Sequence, residues 1–502
     1  MAAVKQQRIS LQIHRSYEGE LNVYFVLMIA VIIPLILTMI EGSRINAMKL
    51  QLECVVDMGM DSVLAEYNRP LLEQYDLLFI DLAYEQSTGS LDHLKEHFAE
   101  YISYNLQPWR ELPILQSRDF LGLNMESVDI LAASRATDEK GVVFRYMALS
   151  YMLNKYGMDY VDGLQDMIAI TERAGLYDSD IMVENDNARN AIDSIEISPP
   201  EDLEEGEEWN EPEKDDPTDS LNELRYRGIL SLVCEDEVSS ASINPASYVT
   251  GRSLVTGNGM EESWREYTPL VEGLLFDEYI MEKCGNYSQR KEGSPLCYET
   301  EYIIAGRSND TDNLRIAAEK ILLIRGGANS IYFFSNQNMR TEAKALAASL
   351  SFILLFPEYE ILFETAIIAA WIYAESIVDV KQLFSGNRVP LIKGEGEWNL
   401  SLENALGLTV ETVSDMVGEE NSSDDEGESG LNYEDYLRLL LYMVPIEERT
   451  GRCMDIVEMN IRKVAGYENF CLDQCVAALT FQMVFSSSYG YSFLLQRSCR
   501  YT

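Results

Sequence analysis

His93-Leu94-Lys95-Glu96-His97 is the stretch of the chain whose residue types and spacing match a catalytic pattern. H-x-x-E-H is the order of the inverted zinc proteases: two histidines one helical turn apart face a metal, and the glutamate beside them serves as base. A further ligand must come from downstream, and Glu172 stands at an acceptable separation. With 83 Asp and Glu in the chain, however, most windows would supply such a residue. Leu94, Phe98 and Ile102 define the buried face of the same helix, which places His93 and His97 nearer solvent. The chain therefore reads as a non-enzyme, with zinc hydrolysis by His93, Glu96, His97 and Glu172 as a remote alternative. No nucleophile elbow, P-loop, dinucleotide fingerprint or calcium-loop consensus occurs, and no cofactor is expected. Asp310-Thr311-Asp312 reads as the lead into a helix cap rather than a calcium site.

Eight cysteines are present without a CxxC pair, and three histidines supply mixed Cys/His metal sites poorly. If the body lies outside the cytoplasm, local disulfides become open to it. Cys284 with Cys297, and Cys471 with Cys475 or Cys499, are the pairings to test first; spacing alone does not fix connectivity, and buried free thiols are an equal alternative.

The elements that must hold these residues follow from one apolar run. Leu21 to Ile40 carries no charge, and its 20 residues match the length that a helix needs to cross a bilayer. The run exceeds a signal-peptide core, and no small-residue cleavage site follows it, so it reads as a retained anchor. Lys5, Arg8 and Arg15 precede it, which orients residues 1–20 as a cytoplasmic tail and everything after Ile40 as extracytoplasmic. Beyond Glu41-Gly42-Ser43-Arg44, apolar residues recur at three- and four-residue steps from Ile45 to about Tyr67. This predicts one long helix, half in lipid and half on a soluble body, with two helices broken at Gly42-Ser43 as the alternative.

Helices are expected over 91–106, 142–156, 166–197, 270–284, 312–324, 433–444 and 447–464, with a buried helix pair within 343–380. Short strands are expected at 77–82 and 127–133, and a closing hairpin over 479–501. The acidic run 201–219 predicts a disordered linker between a region 41–200 and a C-terminal domain 220–502, and 418–430 an acidic loop within the latter. The fold class is α+β, predominantly helical. A net charge of −44 repels phosphate backbones and leaves no basic patch, so nucleic acid is not an expected partner.

Two resemblances follow. Gly19-Glu20-Leu21-Asn22-Val23-Tyr24-Phe25, the apolar span and Glu41-Gly42-Ser43-Arg44 resemble the N-terminal signature of TadE/TadG-type pseudopilins of tight-adherence (Tad) type IV pilus systems. The resemblance implies processing between Gly19 and Glu20 and an anchor-end cluster at Glu41 and Arg44. Such cleavage would place Tyr24 at the fifth mature position, where those proteins carry glutamate. The stretches GELNVYF, IEGSRINAMKLQLE, MDSVLAEYNRPLLEQYDLLFID, ETEYIIAGRSNDTDNLR, AAWIYAESIVDV and NYEDYLRLLLYM resemble a family of single-span proteins of Gram-positive anaerobes whose function is uncharacterised. Together these imply a single-pass cell-membrane protein that acts structurally among other anchored pilus or secretion components. The alternative is an anchored binding module for cell wall, cations or a basic ligand.

Overall fold

The first helix dominates the architecture. The computed structural model describes residues 2–84, 89–106, 121–157, 228–234, 237–257, 264, 268–353, 360–409, 412–413 and 430–501. The expected helix 166–197, Glu172, the run 201–219 and nearly all of 418–430 lie outside the described residues. α1 (Ala2–Leu64) runs through Pro34 and Gly42-Ser43 without a break, so the single-helix alternative is the one realised. Leu21 to Ile40 is exposed on every side, while Met48, Leu52, Val55, Val56, Met60 and Val63 of the same helix are buried. The three- and four-residue spacing of those apolar positions makes one stripe that faces the body.

After α2 (Arg69–Tyr75) and the two-residue strand β1 (Ile80–Asp81) comes α3 (Leu91–Leu106), with the predicted bounds. α3 buries Leu94, Phe98, Ile102 and Leu106 between α1 and the sheet. Gly59 permits the approach of the two helices, because a Cβ there would stand 2.7 Å from the Ile102 Cδ1. Phe98 stacks on Phe481 with centroids 4.1 Å apart.

The sheet joins distant parts of the chain. β2 (Leu123–Arg135) and α4 (Asp138–Tyr156) lie in the first third, β3 (Cys475–Ser487) and β4 (Ser492–Arg500) at the end. β3 is central: β2 pairs along one edge from Ser487 to Val476, while β1 and β4 share the other, all antiparallel. Bulges at Met125/Ser127, Ile130/Ala132 and Ser134/Arg135 bend β2 over the core.

Between these strands lie α5 (Leu230–Val233), α6 (Pro269–Lys283), α7 (Glu299–Ala305), α8 (Asp310–Ser335), α9 (Gln337–Ile353), α10 (Glu360–Phe384), α11 (Leu402–Leu406), α12 (Tyr433–Met443) and α13 (Ile446–Ile461). Asn309 caps α8, its Oδ1 accepting from the Asp312 amide at 2.7 Å, and Asn432 closes a capping box with Asp435 on α12. α10 is as apolar as a membrane span, but it is buried against α8 and α9 over most of its length. The chain is thus α+β and predominantly helical, with a long apolar N-terminal helix and closing antiparallel strands.

Candidate functional site

His97 belongs to a cluster built where α1 ends. Glu66, two residues past α1, accepts from the Tyr84 and Tyr101 hydroxyls, each at 2.6 Å, and His97 Nδ1 lies 3.1 Å from it. The Tyr84 and His97 rings stand 4.6 Å apart. Burial and the bond to Glu66 hold the Tyr84 phenol far above its ordinary range. The Glu66 bond, with some burial, pushes Tyr101 up to about 12. Both phenols therefore stay protonated and keep donating, which fixes Glu66 as an acceptor rather than a free base.

Glu66 also lines a cavity of about 300 Å³ together with Tyr67, Asn68, Asp81, Tyr84 and Tyr467. Asp81 accepts from the Ala83 amide at 2.9 Å and from Asn68 Nδ2 at 3.4 Å. Burial raises its pKa. The site so formed is polar, aromatic and acidic, and it has room for a small ligand with hydroxyl or cationic groups.

The H-x-x-E-H residues do not converge. Glu96 is exposed, His97 is committed to Glu66, and His93 Nδ1 is buried with no hydrogen-bond partner. Among the described residues, three metal-type ligands come together only at Glu458, Cys471 and Asp473, within 4.8 Å of one another. That group already holds its cations. Arg252 Nη2 lies 2.8 Å from Glu458 and 2.7 Å from Asp473, and Arg462 pairs with both Glu458 and Cys471. Burial pushes Glu458 up to about 7 despite the two guanidiniums. The purified chain is expected to carry no stoichiometric zinc by elemental analysis. One zinc per chain, lost in His93→Ala, would restore the hydrolase reading.

Cys284, Cys297, Cys471, Cys475 and Cys499 are free thiols, as are Cys54 and Cys453. Packing turns Cys284 at the end of α6 toward Cys453 of α13: the hydrogen bond between them and burial hold the Cys284 thiol well above its ordinary range. Cys475 Sγ instead contacts the Cys471 carbonyl at 3.7 Å.

Gly19 and Glu20 lie within α1. Glu41 and Arg44 pair at 2.9 Å one turn apart, and both are also engaged by the β3–β4 turn. The Tyr491 hydroxyl donates to Glu41 at 2.7 Å, and the Arg44 guanidinium lies 4.2 Å from the Tyr489 ring centre. Spacing on α3 makes His97 and Tyr101 readable as neighbours. Nothing local announces Glu66, Tyr84, Tyr489 or Tyr491 as their partners.

A family of unknown function, DUF5702, matches residues 207–487. The chain belongs to this family. No curated protein and no solved structure matches the chain. The DUF5702 region ends with the last residue of β3, so β1, β2 and β4, which pair with that strand, all lie outside the matched span. Among the described residues, the Glu66 cavity draws only Tyr467 from the DUF5702 region.

Proposed function

We propose that this chain is a single-pass membrane protein whose extracytoplasmic body is carried on α1 and serves as a structural or interaction component, in the manner of the anchored parts of a Tad-type pilus or secretion apparatus. The observation that carries this reading is the continuity of α1. One helix bears a 20-residue run exposed on all sides and then a stripe buried in the body, so any force on the anchor passes directly to the core. Lys5, Arg8 and Arg15 before the run support a cytoplasmic N-terminus.

A face of α1 remains for lateral packing. Ala47, Leu50, Cys54 and Met58 follow one another at three- and four-residue steps and are exposed, Leu50 by 63%. In the membrane this stripe would continue the apolar surface of the span toward a neighbouring helix. Cys54 supplies the test: a benzophenone maleimide placed on it in native membranes is expected to give a defined adduct with another membrane-anchored chain. The Cys54→Ser variant controls for labelling elsewhere. A chain that gives no adduct, or is released by alkaline carbonate, overturns the reading.

An anchored binding module is the second reading, and the acidic Glu66 cavity is what favours it. A ligand there would be a cation or a basic or hydroxylated group, in keeping with the net charge of −44.

A further inference from the structure

We propose that the β3–β4 turn, Ser487 to Tyr491, is a second membrane contact, seated in the lipid headgroup zone and fixing the tilt of the body on the bilayer. The proposal rests on the reading of Leu21 to Ile40 as a span. If that run fills the hydrocarbon, depth along α1 is set by helix geometry. Glu41 is one residue past the span and Arg44 four, so both lie within about 6 Å of the hydrocarbon edge at 1.5 Å per residue. The headgroup zone on each side of a bilayer is roughly 5–7 Å thick. Tyr491, bonded to Glu41 at 2.7 Å, and Tyr489, stacked on Arg44 at 4.2 Å, are therefore held at that depth by residues whose own position is fixed.

The turn is rigid enough to matter. The Ser487 amide donates to the Tyr491 carbonyl and the Gly490 amide to the Ser487 carbonyl, each at 2.9 Å. Gly490 takes φ +82°, a backbone state that L side chains rarely adopt, so the tight reversal depends on glycine. The start of β2 braces the turn from behind, with the Ser488 amide donating to the Gly122 carbonyl at 2.8 Å. A tip tied to α1, β2 and its own hairpin cannot withdraw from the interface without breaking these bonds.

Its chemistry suits that depth. A tyrosine ring offers an apolar body and a polar tip, which is why such rings collect at the boundary between hydrocarbon and water. Tyr489 keeps 46% of its surface exposed even with Arg44 on its face. Ser488, Tyr489 and Gly490 carry no charge that lipid would repel, in a chain otherwise strongly acidic.

The full chain, reconstituted in phosphatidylcholine vesicles with brominated acyl chains, provides the test. Tyr489→Trp keeps an aromatic face for Arg44. Its added emission, taken as the difference from the five native tryptophans, is expected to be blue-shifted and quenched by lipid. Val255→Trp is the control: Val255 is half exposed and bonds Asp473 just before β3, at the opposite end of a strand that spans roughly 40 Å. Its tryptophan is expected to show no quenching. Tyr489→Asp, which keeps the turn but removes the ring, is expected to raise the protease sensitivity of the β2 start in vesicles and not in detergent. Added emission from Tyr489→Trp that escapes quenching, in a chain that resists alkaline carbonate, overturns the second contact and leaves the anchor standing. Release of the chain by carbonate overturns both.

Discussion

Arg325→Met is expected to destabilise the body by about 3–5 kcal/mol, the range for removing one partner of a buried ion pair. Arg325 on α8 is wholly buried, and its guanidinium binds Asp379 Oδ2 at 2.9 Å, the carbonyls of Pro390 and Leu391 at 2.7 and 2.9 Å, and the Tyr436 hydroxyl at 3.0 Å. Lys393 pairs with Asp379 Oδ1 at 2.6 Å and with Glu375, so two cations meet two carboxylates away from water. Removing Arg325 leaves that group with an unbalanced negative charge and two carbonyls without donors. Because α8, α10, α12 and the segment 390–393 all meet at this guanidinium, the loss falls on the whole helical core rather than on one contact. Arg325→Lys retains the charge but not the planar fork that reaches these four acceptors and Asn329 Oδ1 at once, so it should lie between wild type and Met. The urea midpoint of the detergent-solubilised chain measures the effect. A midpoint unmoved by Arg325→Met would show that the quartet contributes nothing net.

Local pattern carried much of the fold. The bounds of α3 follow from Leu94, Phe98 and Ile102 alone, and the C-terminal hairpin follows from the alternation Leu479, Phe481, Met483, Phe485. Where burial is one-sided, period is visible in the residues themselves. The strand expected at 77–82 shrinks to Ile80–Asp81, because only those two residues find ladder partners, at Val476 and Cys475. That pairing, like the match of β2 to β3, joins segments more than three hundred residues apart, and no local periodicity specifies which strands meet.

The site shows the same division. His97 and Tyr101 are four apart on one helix and so share a face, but Glu66 reaches them only because Gly59 lets α3 close on α1. Spacing alone likewise cannot say which cysteines meet: helix packing brings Cys284 to Cys453, 169 residues away in the chain. The zinc motif matched in residue order, but a motif is completed by side chains converging, and Glu96 faces solvent instead.

The acid-rich interior also predicts an uncommon response to pH. Glu301 on α7 is fully buried; its Oε1 accepts from the Tyr287 amide at 2.8 Å and the Tyr433 hydroxyl at 2.7 Å, while Oε2 is buried without a partner. Burial pushes Glu301 up to about 7 from its ordinary 4.5, against its hydrogen bonds to Tyr433 and to the Tyr287 and Glu301 amides and with a contribution from the nearby Asp310. Since the folded value exceeds the unfolded one, the folded chain binds the extra proton between about pH 4.5 and 7. Stability contributed by the neutral acid is present below that window and is lost as pH rises through it. Across this window the neutral acid contributes on the order of 3 kcal/mol. Asp277, pushed up to about 8 by burial despite Arg449, and Glu458, up to about 7, act in the same direction. Glu282, lowered to about 2 by its lysine and tyrosine partners despite some burial, loses its contribution as pH falls from about 4.5 to about 2, below this window. The chain should therefore have a higher urea midpoint at pH 5 than at pH 8. Glu301→Gln keeps the shape of the side chain and an acceptor for Tyr433, and its amide is neutral at both values. It should gain stability at pH 8 and narrow the difference between the two pH values by about 3 kcal/mol. Equal midpoints for wild type at the two pH values, or an undiminished difference in Glu301→Gln, would mean that Glu301 is ionised in its buried seat and that Tyr433 and the Tyr287 amide suffice to hold the charge.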